Sequence, residues 1–268
     1  MRVVSLGDLV LDVAVRIESE IARDADTPAR TSLSAGGQAA NVAAWAAALG
    51  ASARWLGKRA ADPAGLLAAE QLEAHGVELV GPVEQTGNGV VVSLVEPDGQ
   101  RSMFPDRGVA TRLEPGELRR EWLACDHLHV SGYALLAEPV ALAAARAIAL
   151  ARDAGAAVSV DLSSWSAIRD RGVERVRATV ESLRPDVVFA NEDEEKELGG
   201  PLPGVVWILK RGSRGCRFDG DERAAIDVPD LVDTTGAGDA LAAGWIVGGP
   251  DLALEAAARC VQQLGPMP

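Results

Sequence analysis

Lysine is nearly missing from this chain. Of 26 basic residues only Lys58, Lys196 and Lys210 are lysines, and 39 acidic residues leave a formal net charge of −13. A concentrated basic face is therefore absent, which argues against a nucleic-acid partner. The arginine bias reads as compositional, without functional content. Cysteine is scarce too. Cys125, Cys216 and Cys260 are odd in number and lack metal-ligand spacing, so a disulfide framework is not expected. Buried free thiols suit a reducing compartment and a cytoplasmic chain. Aromatics make up only 4%. Long apolar runs are missing: Val3 to Leu6 is too short for a signal segment, and the alanine-rich Ala39 to Leu49 is too short to span a bilayer.

What is present is an ordinary globular composition, 48% hydrophobic and 24% charged over 268 residues, enough to bury a large core. Short apolar runs at Val3–Leu6, Arg54–Leu56, His127–Val130, Ala157–Asp161, Asp186–Ala190 and Val205–Leu209 read as strands. Helical patterns lie between and after them, at Asn41–Leu49, Pro63–His75, Pro139–Ala154, Asp239–Val247 and Leu252–Gln263. Gly50, Gly76 and Gly155 close the first three as C-caps. The alternation predicts a mainly parallel sheet covered on both faces.

Two segments depart from it. Val13–Ile17 is an alternating strand followed by an irregular acidic stretch to Ser32. Gly89–Val95 and Arg101–Phe104 flank a predicted turn at Asp98-Gly99. These insertions, about 13–33 and 86–110 of a single domain spanning 1–268, predict a small sheet that serves as a lid, an edge extension or a dimer contact.

The strongest chemical signal is Asp233-Thr234-Thr235-Gly236-Ala237-Gly238-Asp239-Ala240. Small residues at Gly236, Ala237 and Gly238 let backbone N–H groups approach an anion, and the helix that begins there adds its positive dipole end. Asp239, in the first turn, is placed to accept a proton from an attacking hydroxyl.

This octapeptide resembles the C-terminal signature of the ribokinase-like, or PfkB-type, carbohydrate kinases. Ala35-Gly36-Gly37-Gln38-Ala39-Ala40-Asn41-Val42-Ala43 resembles their N-terminal signature. Asn191-Glu192-Asp193-Glu194 resembles the family's Asn-x-x-Glu element, and Lys210-Arg211-Gly212-Ser213-Arg214-Gly215 its nucleotide-proximal turn. The order and spacing cover nearly the whole chain.

The resemblance implies a three-layer α/β/α sandwich with a small β-sheet lid, and transfer of the γ-phosphoryl of ATP to a hydroxyl of a small sugar. It makes Asp239 the general base and Gly236, Ala237 and Gly238 the anion hole. Asp12, Gly36, Gly37 and Asn41 bind the sugar; Asn191 and Glu194 organise Mg2+, through water, and the phosphates. Lys210, Gly212 and Gly215 lie by the nucleotide, although Lys210 and Arg211 read equally as strand-end decoration. Asp233 matches a residue that in some members helps hold a monovalent cation such as K+. Short, directional polar groups such as Asp12 and Asn41 suit a polyol, and bare backbone at Gly36 and Gly37 lets a substrate lie close.

Some features depart from the family pattern. Many members have a Gly-Asp pair where this chain has Arg59-Ala60-Ala61-Asp62, with Asp62 the candidate for that acid. The small-residue stretch expected at an adenine pocket is compressed into Ala256-Ala257-Ala258 and Leu264-Gly265-Pro266. His75, His127 and His129 lack metal spacing and read as core or surface residues. Trp45 and Trp165 are candidates to line a pocket.

The dinucleotide fingerprint GxGxxG is absent after the first strand, and Gly57-Lys58-Arg59 does not complete a Walker loop. Two alternatives keep the same fold: a nucleoside kinase, and a non-catalytic sugar or nucleotide sensor. Arg101, Asp106 and Arg107 in the lid region read as surface residues or as contacts to a carboxylate or phosphate on the substrate. A homodimer through the lid is a further expectation.

Overall fold

The computed structural model describes residues 1–97 and 100–268, so the turn predicted at Asp98-Gly99 lies outside the described residues. The main sheet has nine strands. Their order is Asp221–Arg223, Cys216–Phe218, Val206–Lys210, Val187–Asn191, Ala157–Asp161, His127–Ser131, Arg2–Leu6, Ser52–Leu56 and Glu78–Val80. Pairing is parallel from Val206–Lys210 to Glu78–Val80. It is antiparallel in the short hairpin edge at Cys216–Phe218 and Asp221–Arg223.

The two-residue period of a strand decides which layer each side chain joins. Val4, Leu6, Leu128, Val130, Val188 and Ala190 enter one core, packed by helices Val140–Asp153, Trp165–Arg171 and Val173–Leu183. Val3, Val187, Phe189 and Ile208 enter the other, beneath helices Gln38–Ala48, Pro63–Ala74, Ala237–Gly248 and Pro250–Cys260. The result is three layers, as expected. Helices Trp165–Arg171 and Val173–Leu183 were not anticipated, because Gly172 breaks an already polar stretch whose apolar stripe is only Ile168, Val176, Val180 and Leu183. The last helix is Pro250–Cys260 rather than Leu252–Gln263, with Pro250 at its first position.

On the second face, the helices are built from small residues. Gln38–Ala48 is buried from Ala39 to Ala46, and Ala237–Gly248 from Ala240 to Gly244. Alanine and glycine allow these helices to approach closely, which brings Asn41 to Asp239 across the interface.

A second sheet stands apart, ordered Ala29–Gly36, Val10–Ile17, Asn88–Val95 and Arg101–Gly108. Val10–Ile17 pairs antiparallel with Ala29–Gly36 and parallel with Asn88–Val95, which pairs antiparallel with Arg101–Gly108. The stretch expected to be irregular up to Ser32 thus becomes a strand at Ala29; its polar residues are exposed, which hid its alternation. Leu33 and Phe104 are more than half exposed and lie in one cross-strand line through Val13 and Val92. No helix among the described residues is long and apolar enough to cross a membrane.

Candidate active site

Gly236 adopts φ +79 as the N-cap of helix Ala237–Gly248. A β-carbon there would also meet Pro266 at 2.6 Å, so glycine is required by conformation and by space. Pro266 is fixed in turn by Trp45, whose indole donates to its carbonyl at 2.8 Å. The C-terminal segment therefore backs the turn that bears the expected anion hole. Trp45 itself is fully buried core, and Trp165 is exposed with Arg169 lying over its ring. Asp233 braces the same turn: one carboxylate oxygen accepts from the Thr235 N–H and hydroxyl at 2.9 and 2.6 Å, the other from the Gly265 N–H at 3.3 Å. Beside it, a cleft of about 550 Å3 opens between the ends of the small sheet, at Arg16 and Glu96, and residues 231–234.

Asp239 sits in the first helical turn. Its carboxylate accepts a 2.7 Å hydrogen bond from the Asn41 amide, a contact between residues 198 apart in sequence. Burial pushes Asp239 up to about 7; the Asn41 bond and Lys210 pull it down, while Asp161 and Glu194 push it further up. A carboxyl titrating near neutrality is matched to proton acceptance at physiological pH.

Lys210, at the end of strand Val206–Lys210, turns inward. Its ammonium lies 2.6 Å from Asp161, whose side chain is fully buried at the end of the neighbouring strand but one. A β-carbon on Gly238 would stand 3.3 Å from the same nitrogen. The cation therefore lies against the backbone of the expected anion hole. Burial works against its charge, yet Asp161, Glu194 and Asp239 more than offset it and hold the pKa above the ordinary lysine value. Arg211 points elsewhere, pairing with Glu222 at 2.7 Å in the edge hairpin. The two readings of Lys210 and Arg211 thus separate: the first faces the site, the second decorates the hairpin.

Asn191 and Glu194 form a reciprocal capping box on helix Glu192–Leu198. Asn191 accepts from the Glu194 N–H at 2.9 Å, while Glu194 accepts from the Asn191 N–H and amide at 2.9 and 2.8 Å. The box fixes the Glu194 carboxylate in a buried position, and burial raises its pKa against the pull of Lys210. The surrounding Glu192 and Asp193 are exposed, as the acidic run suggested. Among the described residues no group of three acidic, histidine or cysteine side chains converges on a metal position. The fixed Glu194 carboxylate is the kind of single oxygen donor that Mg2+ would use, an ion that keeps most of its waters and is held chiefly by phosphate oxygens with one or two carboxylates.

Gly36 and Gly37 end the small-sheet strand and lead into helix Gln38–Ala48. A β-carbon on Gly36 would collide with the Asp12 carboxylate, and one on Gly37 with the Asp8 carbonyl. Asp12, Gly36, Gly37 and Asn41 are therefore assembled along one edge that runs to Asp239. Gly212 and Gly215 shape the turn after Lys210, and Gly215 is packed against the backbone at Arg223 and Ala224.

The sequence reading missed four residues here. Asp161 looked like an ordinary strand end, although its acid at the carboxyl edge of a parallel strand was a usable signal. Asp8 and Tyr133 flank Arg107, whose guanidinium is paired with Asp8 and lies 3.7 Å above the Tyr133 ring. Gln38 accepts from both Ser131 and Ser163, at 2.6 and 2.5 Å, and ties the helix start to two strand ends. Asp106, by contrast, only closes a local turn by accepting from the Gly108 N–H. Asp62 caps helix Pro63–Ala74 at 2.9 Å and also accepts from the Gly87 and Asn88 N–H groups at 2.7 and 2.9 Å, tying the main body to a small-sheet strand. His127 and His129 share the Ser159 hydroxyl inside the core; burial pulls them down to about 4 and about 3, so both are neutral.

The family model described as pfkB family carbohydrate kinase matches residues 1–265. The ATP-dependent ribose-1-phosphate kinase of Halopiger xanaduensis is 34% identical, the alignment covering 97% of this chain and 90% of that protein. Fructokinase-1 of Oryza sativa subsp. japonica is 30% identical over 89% of this chain and 80% of its own length. The crystal structure of adenosine kinase from Sinorhizobium meliloti superposes with a TM-score of 0.87 at 24% identity, covering 100% of this chain and 95% of that one. A chain designated Ribokinase II from E. coli, solved with ATP and Mg2+, gives 0.84 at 21% identity over 99% and 94%. At those identities the two structures speak for the fold, which is that of ribokinase-like sugar kinases. With the match across its length, the chain belongs to the pfkB family of carbohydrate kinases.

Proposed function

We propose that this protein transfers the γ-phosphoryl group of ATP to a hydroxyl of a small sugar or sugar derivative. The observation that carries the reading is the Asn41–Asp239 contact beside Gly238 and Lys210: a carboxyl poised near neutrality next to a cation-backed anion site. The acceptor hydroxyl gives its proton to Asp239 as its oxygen attacks the γ-phosphorus; the bond from that phosphorus to the bridging oxygen breaks, and ADP leaves. Gly236, Ala237 and Gly238 present backbone N–H groups to the transferring group, and the Lys210 ammonium adds fixed positive charge. Removing such a preorganised donor typically costs roughly 3–4 kcal/mol of transition-state stabilisation.

Asp161 keeps Lys210 in place. Asp12, Gly36, Gly37 and Asn41 bind the sugar. Glu194, oriented by Asn191, is the residue to which Mg2+ would be linked through water; the ion neutralises phosphate charge when bound. Asp233 is assigned to bracing the turn, and a monovalent-cation role for it rests on the resemblance alone. A nucleoside acceptor is the less favoured reading: aromatics make up only 4% of the chain and mark no clear slot for a base, and the face of Tyr133 is covered by Arg107. Retention of Asp239 disfavours a non-catalytic sensor.

The test is acceptor-dependent ADP release from ATP–Mg2+ over pentoses, hexoses, sugar acids, sugar phosphates and nucleosides, with Asp239→Asn alongside. Turnover that the variant loses by about 100- to 10,000-fold, the usual worth of a general base, supports the assignment. Turnover that survives in the variant removes Asp239 as the base.

A further inference from the structure

We propose that Arg107 is the recognition residue for an anionic group, in the first place a phosphate ester, carried by the sugar at its end remote from the accepting hydroxyl. The inference deepens the kinase reading above and rests on it. Arg107 comes from the last turn of small-sheet strand Arg101–Gly108, yet its guanidinium is over the main body, 3.7 Å above the Tyr133 ring. One terminal nitrogen, Nη1, is anchored on the Asp8 carboxylate. The Nε and Nη2 donors make no hydrogen bond among the described residues, and a quarter of the side chain is exposed. A planar guanidinium held flat on a ring, anchored at one corner and open along its other edge, presents two parallel N–H groups, the geometry that takes an oxyanion in bidentate fashion.

The pair with Asp8 is built at a cost. The Asp8 side chain is only 9% exposed, and burial raises its carboxyl even against the pull of Arg107. Asp8 pairs with no other cation among the described residues, so its evident effect is to aim Arg107. The location is the rim of the proposed sugar site: the Asp8 carbonyl lies against Gly37, the N-cap of helix Gln38–Ala48. Asn41, which holds Asp239, is one turn further along that helix, a rise of roughly 6 Å, about the span of a pentose. A sugar whose hydroxyl meets Asp239 thus reaches Arg107 with its other end. The phosphate on Arg107 is a spectator: the acceptor proton still goes to Asp239, the new O–P bond replaces the β,γ-bridging one, and ADP departs.

The experiment compares ribose, ribose 1-phosphate, ribose 5-phosphate and a keto-deoxy sugar acid as acceptors, with wild type, Arg107→Gln and Arg107→Lys, each checked for folding by thermal melting. Binding of the same compounds without ATP is measured in parallel by calorimetry, so that the subsite is tested even if no acceptor turns over. A phosphorylated sugar should be favoured at least 100-fold in kcat/KM over ribose. Arg107→Gln should abolish most of that advantage, chiefly through KM, and change the value for ribose less than about 3-fold; Arg107→Lys should fall between. A like preference for the sugar acid supports the same subsite and identifies carboxylate as the group it takes. Wild-type preference for neutral sugars, equal losses on charged and neutral acceptors, or calorimetric binding indifferent to Arg107 would overturn the proposal. Turnover of neutral sugars alone would do so while leaving the kinase reading intact; anion binding through Arg107 without any ADP release would do the reverse.

Discussion

Removing the amide that steadies Asp239 should move the pH at which turnover begins. In the folded protein Asp239 titrates at about 7, with the Asn41 hydrogen bond favouring its ionised form. Hydrogen bonds to charged groups contribute about 1.5–3 kcal/mol, and one pKa unit is equivalent to about 1.4 kcal/mol. Asn41→Ala should therefore raise the Asp239 pKa by about 1–2 units. A base must be ionised to act, so the ascending limb of kcat/KM against pH should shift from about 7 to about 8–9. At pH 7 the ionised fraction falls from roughly half to roughly 1–10%, a loss of about 5–50-fold that is largely recovered at high pH. The assay is coupled ADP release with the preferred acceptor over pH 5.5–9.5. A midpoint that stays near 7 would refute the electrostatic role of Asn41, whereas a loss that persists on the alkaline plateau would measure its contact with the sugar.

Asp239 should also destabilise the protein it serves. Its folded pKa is raised above the ordinary 3.8, so between those values the native state holds a proton that the unfolded state has lost, and stability falls as pH rises towards 7. A displacement to about 7 corresponds to an upper figure of roughly 4 kcal/mol, so inactive Asp239→Asn should melt higher than wild type at pH 8, with the gap closing near pH 4. Lys210→Met should lower kcat by about 100-fold or more while raising the ascending limb of the pH profile, because it removes a cation beside both Gly238 and Asp239; an unchanged kcat would place Lys210 outside the site. Gly238→Ala should give a milder loss of kcat with little change in melting, since its new methyl has only the lysine tip to displace. Asp62→Ala should cost about 2–3 kcal/mol in denaturant unfolding, through a helix cap of about 1 kcal/mol and two further N–H groups left unpaired. The carboxyl of Asp62 is held below its ordinary value by those N–H groups, despite burial, so its contribution should be lost as pH falls below about 4.

Much of this was legible in the sequence, for physical reasons. Buried parallel strands are apolar on both faces, so Val187–Asn191 or Val206–Lys210 announce themselves as short apolar runs. The turn proposed to face phosphate is legible because few residue types fit it: Gly236 has a positive φ and Pro266 at its back. Strand Ala29–Gly36 was not, since Arg30, Thr31 and Ser32 are polar and exposed in succession and the strand is recognised only by its pairing with Val10–Ile17. The pairs that complete the site are contacts between distant segments. Asp161 meets Lys210, and Asp8 meets Arg107, only when strand order places those ends together. Local pattern carries no record of such meetings. Asp62 falls between: its position before Pro63 marks an N-cap, but nothing local reveals that it also ties down Gly87 and Asn88.

The central claim is that Asp239 takes the proton of a sugar hydroxyl as ATP loses its γ-phosphoryl group. Transfer of labelled γ-phosphate from ATP to the preferred acceptor, followed in wild type and in Asp239→Asn under single-turnover conditions with both substrates bound, tests it most directly. A labelled sugar ester is expected in wild type, with a transfer rate at least about 100-fold slower in the variant and acceptor binding retained. Label reaching the sugar at an undiminished rate without the Asp239 carboxylate would contradict it.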